Sequence, residues 1–132
     1  ANVGLGMVHG VAHSYGAAFH LSHGLTNAII LPYALRLNRK DKTVGQKLKT
    51  LSDRCHCEDI VEAIDALRDQ LHIPRCFREV LAEEQFLAKQ EQVIEHAMLG
   101  ATRVNPVVIT IDTMKKFVPL VYYGEERTGE YL

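Results

Sequence analysis

The sequence is short of cysteine and proline, carries no surplus of either charge, and has no long apolar run. Three cysteines and four prolines occur in 132 residues. A small, odd cysteine count argues against a disulfide-stapled secreted domain and favours free thiols of a cytoplasmic protein. Cys55-His56-Cys57 with the distant Cys76 does not reproduce the paired spacings of a zinc knot. Fifteen Lys and Arg balance sixteen Asp and Glu, for a formal net charge of −1, so neither nucleic acid nor an acidic membrane surface is favoured as a partner. The densest basic cluster is Arg36, Arg39, Lys40, Lys42, Lys47 and Lys49. It lacks the aromatic interleaving that stacks bases and reads as a solvated helix end and loop. No apolar run reaches the roughly 18 residues of a membrane span, and no secretory signal pattern is present. A G-x-G-x-x-G after a strand pattern is also missing, as is any glycine cluster that would let backbone approach a pyrophosphate.

What the chain does have is histidine in one place. His9, His13, His20 and His23 are four of its seven histidines and fall within fifteen residues. His9 and His13 are four apart and share one helix face. His20 and His23 follow across the break at Ser22-His23-Gly24. Each alone reads equally well as a hydrogen-bonded core or surface group. Together, neutral imidazoles on a preformed face with another returning from a turn suit a borderline transition metal.

The remaining pattern is helical throughout, and the reading is an all-α bundle with one domain over residues 1–124 and a polar, frayed tail over 125–132. A close-packing helix of small apolar residues spans 4–19. Leu25 to Leu37 is apolar on nearly all sides and reads as a central buried helix, with Pro32 expected to kink or end it. A surface helix follows with Val44, Leu48 and Leu51 inward. Ile60, Ile64, Leu67 and Leu71 recur at amphipathic spacing, with Glu58, Glu62, Asp65 and Arg68 outward. Pro74 ends that helix. Another runs from about Glu84 to Leu99, burying Phe86, Leu87, Val93 and Ala97 and stopping near Gly100. Thr102 to Pro106 is an extended loop. Thr110 is a good N-cap, with Asp112 in the first turn and Ile111, Met114, Phe117 and Val121 inward. Pro119 should bend or shorten this last helix, and Val107 to Ile111 also fits a short strand.

The segment Gly6 to Gly24 resembles the histidine signature of the iron-containing (group III) alcohol dehydrogenases, G-x-x-H-x-x-A-H-x-x-G, six residues, then H-G. Gly6, His9, Ala12, His13, Gly16, His23 and Gly24 keep every spacing. The continuation Leu25 to Pro32 and the later Asn105-Pro106 and Thr110 are also family-like. Tyr122-Tyr123-Gly124 resembles the alcohol dehydrogenase half of the bifunctional aldehyde-alcohol dehydrogenases. Ser22 departs from the pattern, since the family usually has proline before the last histidine.

The resemblance implies roles. His9 and His23 match the positions that ligate the metal, and His13 matches the middle histidine near nicotinamide and substrate, a candidate proton relay. His20 reads as a group supporting the metal ligands or as a structural residue. Fe(II) is the metal the family implies, although imidazoles alone suit zinc, cobalt or nickel as well. Two further ligands, an Asp and a His, come from an earlier helix in that family, and the NAD(P)-binding α/β domain lies earlier still. The chain therefore reads as the C-terminal part of the metal-binding helical domain of an NAD(P)-dependent enzyme interconverting a small alcohol and its aldehyde or ketone. It is expected to be inactive in isolation and to belong to a homo-oligomer. Two alternatives stand beside this: a related glycerol-type dehydrogenase segment, which the spacing fits less well, and a non-catalytic helical assembly module.

Overall fold

The computed structural model describes residues 6–99, 105 and 107–124. Every regular element among them is helical: α1 (Gly6–Phe19), α2 (His23–Asn38), α3 (Lys42–Arg54), α4 (Ile60–Gln70), a short 3-10 turn (Phe77–Glu79), α5 (Glu83–Ala97) and α6 (Ile111–Tyr123). The all-α expectation holds. Helix α1 is the hub, packed between α2 and α5, with α6 closing on α5 and α3 and α4 stacked outside α2.

Small residues explain the hub. Met7, Val8, Gly10, Val11, Ala12, Tyr15 and Ala18 of α1 are buried, while His9 and His13 emerge on the remaining exposed strip. At Gly16 an added Cβ would lie 3.3 Å from the Leu21 carbonyl oxygen, so the chain reverses tightly against that turn. The reversal is made by His20, whose φ of 57° is left-handed. That conformation costs a non-glycine residue about 1 kcal/mol and ends the helix in the manner of a C-terminal glycine.

Helix α2 begins at His23, two residues before the expected Leu25, because Ser22 caps it. The Ser22 hydroxyl accepts a hydrogen bond from the Leu25 amide at 3.3 Å, and the Thr26 hydroxyl donates to the His23 carbonyl at 2.9 Å. Of the two outcomes expected of Pro32, a kink or an end, the end does not occur, and the helix continues to Asn38. Proline removes one backbone donor, but Ile29, Ile30, Tyr33, Ala34 and Leu37 around it are buried, and their burial offsets one lost bond. Helix α6 likewise passes through Pro119 to Tyr123, with Val118, Leu120, Val121 and Tyr122 buried. Thr110 caps α6 by accepting from the Thr113 amide at 3.1 Å, and residues 107–110 form no strand.

Four inward faces differ in part from the periodic reading, that of α3 through Leu51, which is exposed. On α4, Leu67 and Leu71 are 53% and 60% exposed while Val61 and Arg68 are buried. The Arg68 stem lies inside and its guanidinium meets Asp65 at 3.2 Å. Asp65 in turn pairs with Arg36 of α2, so an ionic seam rotates α4 away from its leucine stripe. On α5, Leu87 is 54% exposed beside the fully buried Phe86. Ile111 is also exposed at the start of α6.

The core centres on aromatic stacks. Tyr15 lies against Phe77 with ring centres 4.0 Å apart and planes 7° from parallel, and Phe86 against Tyr122 at 4.1 Å and 5°. Each buried phenol is satisfied: Tyr15 donates to the Val118 carbonyl and Tyr122 to that of Leu81, both at 2.7 Å. Burial, with Tyr122 and Cys76 adding to it, raises the Tyr15 hydroxyl well above its usual pKa. Phe77, in the unforeseen 3-10 turn, is fully buried. The expected loop Thr102–Pro106 falls outside the described residues except for Asn105, and so does the expected tail 125–132.

Candidate functional site

The signature histidines come together in part. His9 emerges near the start of α1 and His23 is the first residue of α2. Their rings face each other, with centres 6.2 Å apart and planes 20° from parallel. The Ser22 cap sets the direction of His23, a task that proline would perform by restricting φ. His13, one turn after His9, turns instead toward His96 near the end of α5, their ring centres 5.3 Å apart. His20 lies on the reversal between the helices and is exposed. Sequence reasoning missed His96. It belongs to no local motif, and only the packing of α5 on α1 brings it to His13.

Beside His9 lies a cavity of about 340 Å³ lined by Val8, His9, Asn27, Ala28 and Leu31. Asn27 sits one helical turn beyond His23, so both project from one side of α2. Its Oδ1 is buried without a hydrogen-bond partner among the described residues. A buried acceptor left empty costs about 1–3 kcal/mol, so this oxygen is available to an incoming N–H or O–H group.

The start of α1 is pinned from across the molecule. The buried Asn105 side chain accepts from the Met7 amide at 3.2 Å and from Asn38 Nδ2 at 3.1 Å. It donates to Asn38 Oδ1 at 2.6 Å and to the Val107 carbonyl at 3.0 Å. One carboxamide thus ties together the N-terminus of α1, the end of α2 and the approach to α6, two residues from His9. A larger cavity of about 550 Å³ lies toward the far end of α2, lined by Arg36, Arg68, Arg75 and Arg78 together with Asp65 and Glu79. Four arginines face two carboxylates there, Arg36 and Arg68 pairing with Asp65, and the histidines are not part of it.

Residues 1–120 match the family model described as Fe-containing alcohol dehydrogenase family, C-terminal. The chain belongs to the Fe-containing alcohol dehydrogenase family. It is 31% identical over 135 residues to the NADPH-dependent butanol dehydrogenase of Clostridium saccharobutylicum, covering 96% of this chain and 35% of that protein. Against the lactaldehyde reductase of Escherichia coli it is 33% identical over 122 residues, 85% of this chain and 31% of the relative. To the bifunctional aldehyde-alcohol dehydrogenase of the same species it is 28% identical over 152 residues, 96% of this chain and 17% of the relative. The chain therefore spans about a third or less of these relatives' length. It is the C-terminal, helical region of an enzyme family.

The donor set fits a cation in part. A metal–imidazole nitrogen bond of about 2.1 Å places each ring centre about 3.2 Å from the ion, and two rings at a tetrahedral angle then lie about 5.2 Å apart. The His9 and His23 rings are about 1 Å wider than this, and both residues are exposed. Among the described residues no group of three or more His, Cys, Asp or Glu gathers. His9 and His23 are the two signature imidazoles that face each other there. No described helix is long and apolar enough to cross a membrane.

Proposed function

We propose that this chain is the metal-holding C-terminal part of an alcohol dehydrogenase that interconverts a small alcohol and its aldehyde or ketone with NAD(P). The observation that carries the reading is the facing pair His9 and His23, on two helices of a chain that belongs to this family. His9 and His23 hold a divalent ion, iron(II) or zinc, through their neutral ring nitrogens, and the region that precedes this one in the longer relatives completes the coordination. When bound, the ion supplies Lewis acidity that lowers the pKa of an alcohol beside it.

The chain's own residues do the rest. Val8, Ala28 and Leu31 wall the cavity next to His9 and keep water from one side of the site, which strengthens electrostatic interactions there. His13, one turn from His9 and exposed, accepts the alcohol proton at a ring nitrogen and returns it in the reverse direction. Imidazole is suited to that step because its ordinary pKa lies close to working pH. Nucleotide binding belongs to the preceding region, together with most of the substrate selection. The soluble setting is cytoplasmic, and the working enzyme is a homo-oligomer.

The test is zinc titration of the purified chain by calorimetry beside a His23→Ala variant. One binding event of the wild-type chain should disappear in the variant. Unchanged binding in His23→Ala would overturn the ligand assignment. The chain alone should turn over no NAD(P)H, and steady turnover would refute the placement of nucleotide binding in the preceding region.

A further inference from the structure

The His13 and His96 pair is not accounted for by the histidine signature. Their rings come from helices far apart in sequence, α1 and α5, and meet with centres 5.3 Å apart and planes 64° from parallel. Two imidazoles sharing one tetrahedral ion need about 5.2 Å between ring centres. This pair is therefore closer to that spacing as it stands than His9 and His23 at 6.2 Å. His13 is exposed and His96 half-buried, so a hydrated cation can reach them and keep water in its remaining positions. Both helices pack into one core. Phe86, Val93, Ile94 and Ala97 of α5 pack into the same core as Val8, Val11, Ala12 and Tyr15 of α1. The Lys89 ammonium on α5 also donates to the Ala18 carbonyl of α1 at 2.9 Å.

We propose that His13 and His96 form a second transition-cation site, separate from His9 and His23, which bridges α1 to α5 and takes zinc, nickel or copper ions through two neutral imidazoles. Irving–Williams ordering favours copper and nickel over iron(II) at such a nitrogen pair. Where His13 also relays the proton, a statement that rests on the function proposed above, a cation here occupies its lone pair and withdraws it from that task. Excess transition metal then acts as an inhibitor at a place distinct from the primary ion.

The test uses the chain carrying His9→Ala and His23→Ala, which removes the first pair at two exposed positions. Zinc chloride is titrated by calorimetry and by thermal unfolding. The double variant should still bind about one zinc per chain and gain in Tm. Adding His96→Ala should weaken that binding at least tenfold and abolish the Tm gain, and His96→Gln should do the same while preserving side-chain bulk. Zinc binding that survives both His96 substitutions would overturn the proposal, as would a double variant that binds no zinc. Neither result bears on the His23→Ala comparison in the otherwise intact chain, so the two assignments fail independently.

Discussion

Replacing Asn105 by alanine should destabilise the chain as much as truncating a buried core residue. Its carboxamide makes four hydrogen bonds, to the Met7 amide, to both ends of the Asn38 carboxamide and to the Val107 carbonyl. At about 1 kcal/mol net for each, with the Met7 amide left in a buried place, the loss comes to about 3–4 kcal/mol. An unfolding entropy of roughly 2.1 cal/mol/K per residue amounts to about 0.28 kcal/mol/K over the chain, so Tm should fall by about 12 °C. Urea unfolding followed by circular dichroism at 222 nm measures this directly, with the midpoint moving and the slope unchanged. A double-mutant cycle with Asn38→Ala isolates the carboxamide pair, and its coupling should exceed about 1 kcal/mol because the residues touch. A loss below about 1 kcal/mol in Asn105→Ala would refute the argument that this side chain anchors the start of α1.

Two further outcomes follow from burial and from charge. Phe86→Ala should cost about 3–5 kcal/mol by opening a cavity beside Tyr122 and Tyr15, whereas Leu87→Ala at the next, exposed position should stay within about 1 kcal/mol in the same urea assay. The Asp59 carboxyl is lowered in pKa: burial pushes it up, but the Val61 amide and the Arg39 guanidinium outweigh that. A carboxyl with a depressed folded pKa contributes stability that is full above its unfolded value, about 3.9, and is lost as pH falls through the lower folded value. Stability measured between pH 5 and 2.5 should therefore fall less steeply in Asp59→Asn than in the wild-type chain, and parallel curves would contradict the role assigned to Asp59.

Several elements were legible because one local interaction decides them. The Thr110 cap needs only a hydroxyl placed before an apolar run, and it was read correctly. Pro32, expected to kink or end its helix, and Pro119, expected to bend or shorten its own, end neither, since the rule that proline ends helices weighs one missing donor, while the fold weighs the burial of four or five neighbours. The leucine stripe of α4 misled for a related reason. Periodicity ranks residues by hydropathy alone, and the Arg36, Asp65 and Arg68 pairing that turns the helix arises only when α2 lies beside α4.

Family membership and the spacing of His9, His13 and His23 are properties of the one-dimensional chain, because a helix converts spacing into a face without help from the rest of the molecule. The same holds for the expectation that the chain is all-α. Only the tertiary structure decided which imidazoles meet. It set His9 across from His23 by packing α1 on α2, and it turned His13 to His96 by packing α5 on α1. It also buried Asn105 as the link between α1 and α2. Partners from distant helices share no period or motif in sequence, and their proximity comes from the whole core closing at once.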